Sequence, residues 1–209
     1  LVLTIAGERL ELSRFLPTSP IAVRVLAGLL GACIAGLAGG THGMAWGGPL
    51  FAAALLGLAI WLVRQDIARR TVRGKGLTRF IAVALLSGYL WLAVGASVAL
   101  AAGGLSPGTR GYDAALHAVL IGFVFSMVFG HAPIIFPAVL HVAVPYHASF
   151  YLPLALLHLS LLVRLVGDAG GQFAILHLGG ALNALALVAF VVGMLSAVVR
   201  GRQGAGRAR

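Results

Sequence analysis

Tyr112-Asp-Ala-Ala-Leu-His-Ala-Val-Leu-Ile-Gly-Phe-Val-Phe-Ser-Met-Val-Phe-Gly-His-Ala-Pro-Ile-Ile-Phe-Pro-Ala-Val-Leu140 holds one carboxylate at its start and no residue of fixed charge after it. A helix crossing the ~30 Å hydrocarbon layer of a bilayer needs about 20 mostly apolar residues, and this run exceeds that. The rest of the chain agrees with it. Of 209 residues 60% are hydrophobic and 10% charged, with a mean hydropathy of +1.02. No water-soluble fold finds enough polar surface in such a sequence to cover its core. The expected class is therefore all-α, a polytopic transmembrane helix bundle of about six spans in contact with the lipid bilayer.

Working outward from that run, apolar stretches predict spans over Ile21 to Gly40, Pro49 to Val63, Arg79 to Ala102, Tyr112 to Leu140, His147 to Val166 and Gln172 to Val199. The formal charge of +10 does not point to nucleic acid, because most of the basic residues lie in the connections and tail between apolar runs. Arg64, Arg69, Arg70, Arg73, Lys75 and Arg79 lie between the second and third, and Arg200, Arg202, Arg207 and Arg209 follow the sixth. The positive-inside rule makes both groups cytoplasmic. Six crossings then put the amino end inside as well, in agreement with Arg9 and Arg14. The segments around His42, Ser106 and Asp168 face outward. Three parts follow: an amino-terminal segment, residues 1–20, a six-helix transmembrane domain, residues 21–199, and a basic cytoplasmic tail, residues 200–209, expected to be disordered. The opening Leu-Val-Leu-Thr-Ile-Ala-Gly7 reads as the end of an earlier hydrophobic segment. Gly36-Leu-Ala-Gly-Gly40 has the small-xxx-small spacing that brings helix backbones close, as ordinary packing or in a dimer.

Histidine is the chemistry-bearing residue of this chain. His117, His131, His141, His147, His158 and His177 all fall in the last three spans or at their edges, and His42 stands alone in a loop. A ring that can carry charge is costly in lipid, so such residues face protein or a cavity and point to function. With the expected orientation and ~1.5 Å per residue, the histidines sort by depth. His117, His158 and His177, from three helices, share the outer half; His131, His141 and His147 belong to the inner half or its edge. His147 and His158, eleven residues apart, would lie on one inward face of the fifth span, about three turns from each other.

Imidazoles on facing helices are how bundles hold metals and cofactors, and imidazole suits copper, iron and zinc alike. The expected metal ligands are His117, His158 and His177; His131 and His147 join them as candidate cofactor-binding residues. Two axial histidines would hold a haem, three converging ones a copper, and spacing favours neither. The competing reading is that each ring simply bonds a neighbouring helix. Pro133 and Pro137 remove backbone donors just after His131 and free the carbonyls of Phe129 and Pro133, which suits a ligand or proton site or a plain kink. Tyr146 and Asn183 would orient His147 and His177, or serve generic polar packing.

Other chemistries are set aside. There is no Gly-x-x-x-x-Gly-Lys phosphate loop and no Gly-x-Ser-x-Gly elbow. The five acids, Glu8, Glu11, Asp66, Asp113 and Asp168, lie at span edges or in connections, which leaves no carboxylate relay across the bilayer. Cys33 is alone, so no intrachain disulfide forms.

Ile5-Ala-Gly-Glu-Arg-Leu-Glu-Leu-Ser13, and His117-Ala-Val-Leu-Ile-Gly-Phe-Val-Phe-Ser-Met-Val-Phe-Gly-His-Ala-Pro133, resemble the NnrS-type bacterial membrane proteins. These are polytopic proteins of roughly twelve spans, associated with haem and copper and with the response to nitric oxide. The resemblance implies a multi-pass protein of the bacterial inner membrane, with His117 and His131 among the haem or metal ligands. It also implies that this chain corresponds to the second half of a longer protein, so that a missing amino-terminal half, a partner subunit or a dimer completes the site. The expected role is electron transfer, or sensing or handling of a small gas. The alternative is a non-metal transport or structural subunit whose histidines serve helix packing or proton movement.

Overall fold

The computed structural model describes residues 4, 5, 7 and 19–207, with side chains as far as Gln203. The amino-terminal segment read as the end of an upstream span, with Arg9 and Arg14, lies almost wholly outside the described residues. The described chain is all-α: α1 (Pro20–Thr41), α2 (Gly47–Gln65), a single turn α3 (Ala68–Thr71), α4 (Gly76–Ala101), α5 (Arg110–His117), α6 (Ser126–Leu140), α7 (Tyr151–Gly170) and α8 (Phe173–Arg207). Among the described residues six stretches are long and apolar enough to cross a membrane: Pro20–Thr41, Gly47–Gln65, Gly76–Ala101, Arg110–Leu140, Ala148–Gly170 and Phe173–Gln203. Each overlaps one predicted span. The chain is a multi-pass, all-α membrane protein.

Two features of these helices have no counterpart in the hydropathy pattern. The fourth span is not one regular helix, because a π-helical segment, Ala118–Phe125, joins α5 to α6. Segments with such wider i→i+5 turns recur at functional sites. The tail expected to be disordered instead continues α8 as far as Arg207. A preceding helix supplies the nucleus that an isolated tail would have to form at a cost. The prolines do not break the fourth span either, since α6 runs through Pro133 and Pro137 to Leu140.

The described residues form two compact units. The first comprises Leu1–Arg69 and Leu86–Val124. Its α1 begins at Ser19, whose side chain accepts a hydrogen bond from the Ala22 N–H at 3.2 Å, with Pro20 in the first turn where no donor is needed. Helices α1 and α2 touch along glycine: a Cβ on Gly36 would lie 2.5 Å from the Phe51 nitrogen. The small-residue motif thus serves packing within the chain. Trp61 ties the other end of the pair by donating its indole N–H to the Ala22 carbonyl at 3.0 Å. Asp66 closes α2 and accepts both the Ala68 N–H, at 2.8 Å, and the hydroxyl of the fully buried Tyr89.

The second unit comprises Arg70–Leu85 and Phe125–Arg209. Helices α7 and α8 form an antiparallel hairpin whose turn needs Gly171 at φ 62°, a backbone region open to glycine at little cost. Two further glycines bring the helices into backbone contact. A Cβ on Gly167 would sit 2.7 Å from the Leu176 nitrogen, and one on Gly179 2.8 Å from the Arg164 Cα. Phe129 of α6 stacks on Phe190 of α8 with ring centroids 3.9 Å apart and planes within 6°. Phe80 meets Tyr151 edge-on at 5.2 Å. Residues 141–147 form a non-helical connection between α6 and α7. It lies close against α8 at Ala143, where Gly201 leaves room.

Candidate functional site

The two histidines of the fourth span are held in the same way. Thr109 caps α5 by accepting the Tyr112 N–H at 3.2 Å, which starts the helix one turn before Asp113. His117 then falls one turn after Asp113, half-buried, with Nδ1 2.8 Å from the Asp113 carbonyl oxygen and 3.4 Å from its carboxylate. On α6, half-buried His131 places Nδ1 2.6 Å from the Met127 carbonyl. A carbonyl oxygen only accepts, so each Nδ1 carries the hydrogen and donates it. Histidines that ligate metals are oriented in this way, with the other ring nitrogen bonded to a carbonyl or carboxylate. Nearby helix packing is tight: a Cβ on Gly95 would lie 2.9 Å from the Ala115 carbonyl, and one on Gly130 3.0 Å from the Ala84 Cβ.

The remaining candidates differ from this pattern. His158 is half-buried on α7. His177 is exposed in the first turns of α8, its ring 5.9 Å from that of Phe173. His147 is not on the face of a helix with His158, contrary to the predicted spacing. Its backbone is extended, φ −141° and ψ 146°, and it caps the single turn Ala148–Phe150 that leads into α7. There its Nδ1 accepts the Ser149 N–H at 3.2 Å and lies 2.9 Å from the Ser149 hydroxyl. His141 ends α6 in the left-handed region, and His42 ends α1; both are exposed. Among the described residues no three His, Cys, Asp or Glu side chains form a group that could hold a metal ion. His117 belongs to the first unit, whereas His158 and His177 belong to the second.

The groups expected from sequence to orient the imidazoles also lie elsewhere. Asn183 bonds Ser160 across the α7–α8 pair, and the same hydroxyl lies 2.8 Å from the Leu157 carbonyl. Tyr146 packs edge-on against Phe150 at 6.0 Å.

One polar line was not expected. Ser160, Arg164 and Asp168 recur every fourth residue and so lie along one side of α7. Ser160 is fully buried, Asp168 is 3% exposed, and Arg164 is half-buried beside the Gly179–Gly180 pair of α8. A Cβ on Gly180 would be 3.5 Å from a guanidinium nitrogen of Arg164. The signal was present in the sequence as an arginine within a predicted span, followed one turn later by an acid. Within a membrane such residues turn toward protein and pair.

No curated protein and no solved structure matches the chain. A family model described as a domain of unknown function (DUF8744) matches residues 1–199, and the chain belongs to that family.

Proposed function

We propose that this is a haem-binding protein of the bacterial inner membrane, acting in electron transfer or in the sensing or handling of a small gas such as nitric oxide. One observation carries the reading. His117 and His131 in the fourth span each have Nδ1 bonded to the carbonyl one turn back, the orientation that ligating imidazoles take. The likeness of His117–Pro133 to the NnrS-type proteins supports the same two residues. The donor set fits haem better than copper, because His117 or His131 could each hold haem as a single oriented imidazole, whereas a histidine copper site needs several to converge. When bound, haem would supply a one-electron couple and an iron position open to a small gas.

The chain's own contribution is orientation. The Asp113 and Met127 carbonyls fix the tautomers, and the Asp113 carboxylate beside the His117 ring makes that imidazole a stronger donor. His158 and His177 would ligate only with help from a second chain, and copper would need the same help. The non-metal reading is favoured by His147, whose ring nitrogen is engaged as a helix cap.

The test is an optical spectrum with metal analysis of protein purified in mild detergent. The proposal expects a Soret band that His117→Ala or His131→Ala removes or shifts. A folded, colourless and metal-free protein from haem-replete cells overturns it and leaves the non-metal subunit.

A further inference from the structure

The second unit gathers exposed cations at one end. Arg73, Lys75 and Arg79 stand around the start of α4, and Arg200 and Arg202 near the end of α8, and each is exposed. The non-helical connection 141–147 touches both helices. A Cβ on Gly76 would lie 3.9 Å from the Tyr146 ring, and Ala143 packs against Gly201. The connection is itself anchored, since Val144 is buried and Tyr146 meets Phe150 edge-on at 6.0 Å. Three residues of chain span at most about 11 Å, so its contacts with α4 and α8 lie near one another.

The arginines of α8 are held in place as well. At about 100° per residue, Arg200 and Arg202 flank the side of the helix that Gly201 turns to the connection. They do so because α8 continues as helix to Arg207. The sequence of this unit contains one acid, Asp168. It lies near the end of α7, about 30 Å along the helix from the connection. These cations therefore have no carboxylate of their own unit beside them. A topology signal requires only that cations lie on one side of the membrane. It does not require them to be set against one anchored piece of chain.

We propose that this end of the second unit binds the headgroup of an anionic phospholipid, with its phosphate held between the cations of α4 and those of α8. The planar donor fork of arginine matches phosphate oxygens, and basic groups at the ends of spans recognise anionic headgroups. A lipid is favoured over a soluble anion because the cations stand at the ends of the apolar spans Gly76–Ala101 and Phe173–Gln203, along which acyl chains can run. The proposal needs the protein to be in a membrane and does not depend on haem.

The experiment is native mass spectrometry of the full chain released from a neutral detergent, with phosphatidylglycerol or phosphatidylethanolamine added. Saturable retention of one phosphatidylglycerol per chain is expected, about tenfold tighter than phosphatidylethanolamine. Arg79→Gln and Arg200→Gln, made separately, should each weaken phosphatidylglycerol about fivefold. If one of them fails to fold, the other carries the test. Arg110→Gln removes the same charge from an exposed position at the opposite end of the fourth span from the connection, and should change nothing. Equal retention of the two lipids overturns the proposal. An equal loss in Arg110→Gln also overturns it and makes the attraction one of net charge. Displacement of the lipid by equimolar glycerol phosphate overturns it in favour of a soluble anion. Each result is read without reference to a Soret band, so it stands or falls separately from the haem assignment.

Discussion

The Nδ1 of His117 lies 2.8 Å from the main-chain carbonyl of Asp113, one helical turn earlier in the same helix. Because the acceptor is backbone, no side-chain substitution at residue 113 removes this anchor. The Asp113 carboxylate, 3.4 Å from the same nitrogen, adds charge to it. Asp113→Asn should therefore keep the Soret band and raise the haem midpoint potential, since a less electron-rich imidazole stabilises the oxidised iron less. Potentiometric titration of both proteins checks this. Loss of the band would make the carboxylate, and not the carbonyl, the group that orients the ring.

Helices α1 and α2 give a paired test of where glycine is required. At Gly36 any Cβ meets the Phe51 backbone, at 2.5 Å from its nitrogen, whereas at Gly28 a Cβ meets nothing within 4 Å. Gly36→Ala should cost about 1–3 kcal/mol through overpacking. Gly28→Ala should be neutral or stabilising by up to about 1 kcal/mol, as a helix interior prefers alanine. Thermal unfolding in one detergent compares them. Equal effects would contradict the α1–α2 contact.

The Ser160–Asn183 bond is buried between α7 and α8. Interhelical bonds of this sort in membranes contribute about 0.6 kcal/mol on average and up to about 1.7. Asn183→Ala should lower stability by that order. Ser160→Ala combined with it should cost less than the two changes summed, because both remove one interaction. Strict additivity would show that the pair is not coupled.

The orientation drawn from basic residues is open to labelling. Cys33 is the single cysteine and is buried, so Cys33→Ala gives a thiol-free background. Ser106→Cys and Lys75→Cys then report opposite faces from exposed positions. An impermeant maleimide should label residue 106 in intact cells, and residue 75 only after the inner membrane is opened. The reverse pattern would invert the topology.

The six spans were legible because each is a long run with few charges, and length in lipid leaves few alternatives to helix. What faces what was less legible. Hydropathy averages over a span and does not say which side of α7 turns to α8, so the Ser160–Arg164–Asp168 line went unread although its spacing is regular. The π-helical segment Ala118–Phe125 is more apolar than either flank, but apolar character does not distinguish i→i+5 from i→i+4 turns. His147 was placed on a helix because a span was drawn through it; its extended backbone goes with its own capping bond to Ser149. Depth along the chain grouped His117, His158 and His177. Their placement also depends on which unit each helix joins, and depth carries no information on that.

The central claim is that the fourth-span imidazoles, oriented through Nδ1, ligate haem through Nε2. The most direct measurement is the reduced-minus-oxidised optical spectrum of the purified protein beside His117→Ala and His131→Ala, with folding checked by circular dichroism. The account predicts a Soret band and visible bands in the parent, lost or displaced in at least one variant of unchanged helicity. A spectrum that both substitutions leave intact, or a folded parent with no haem absorption, would contradict it.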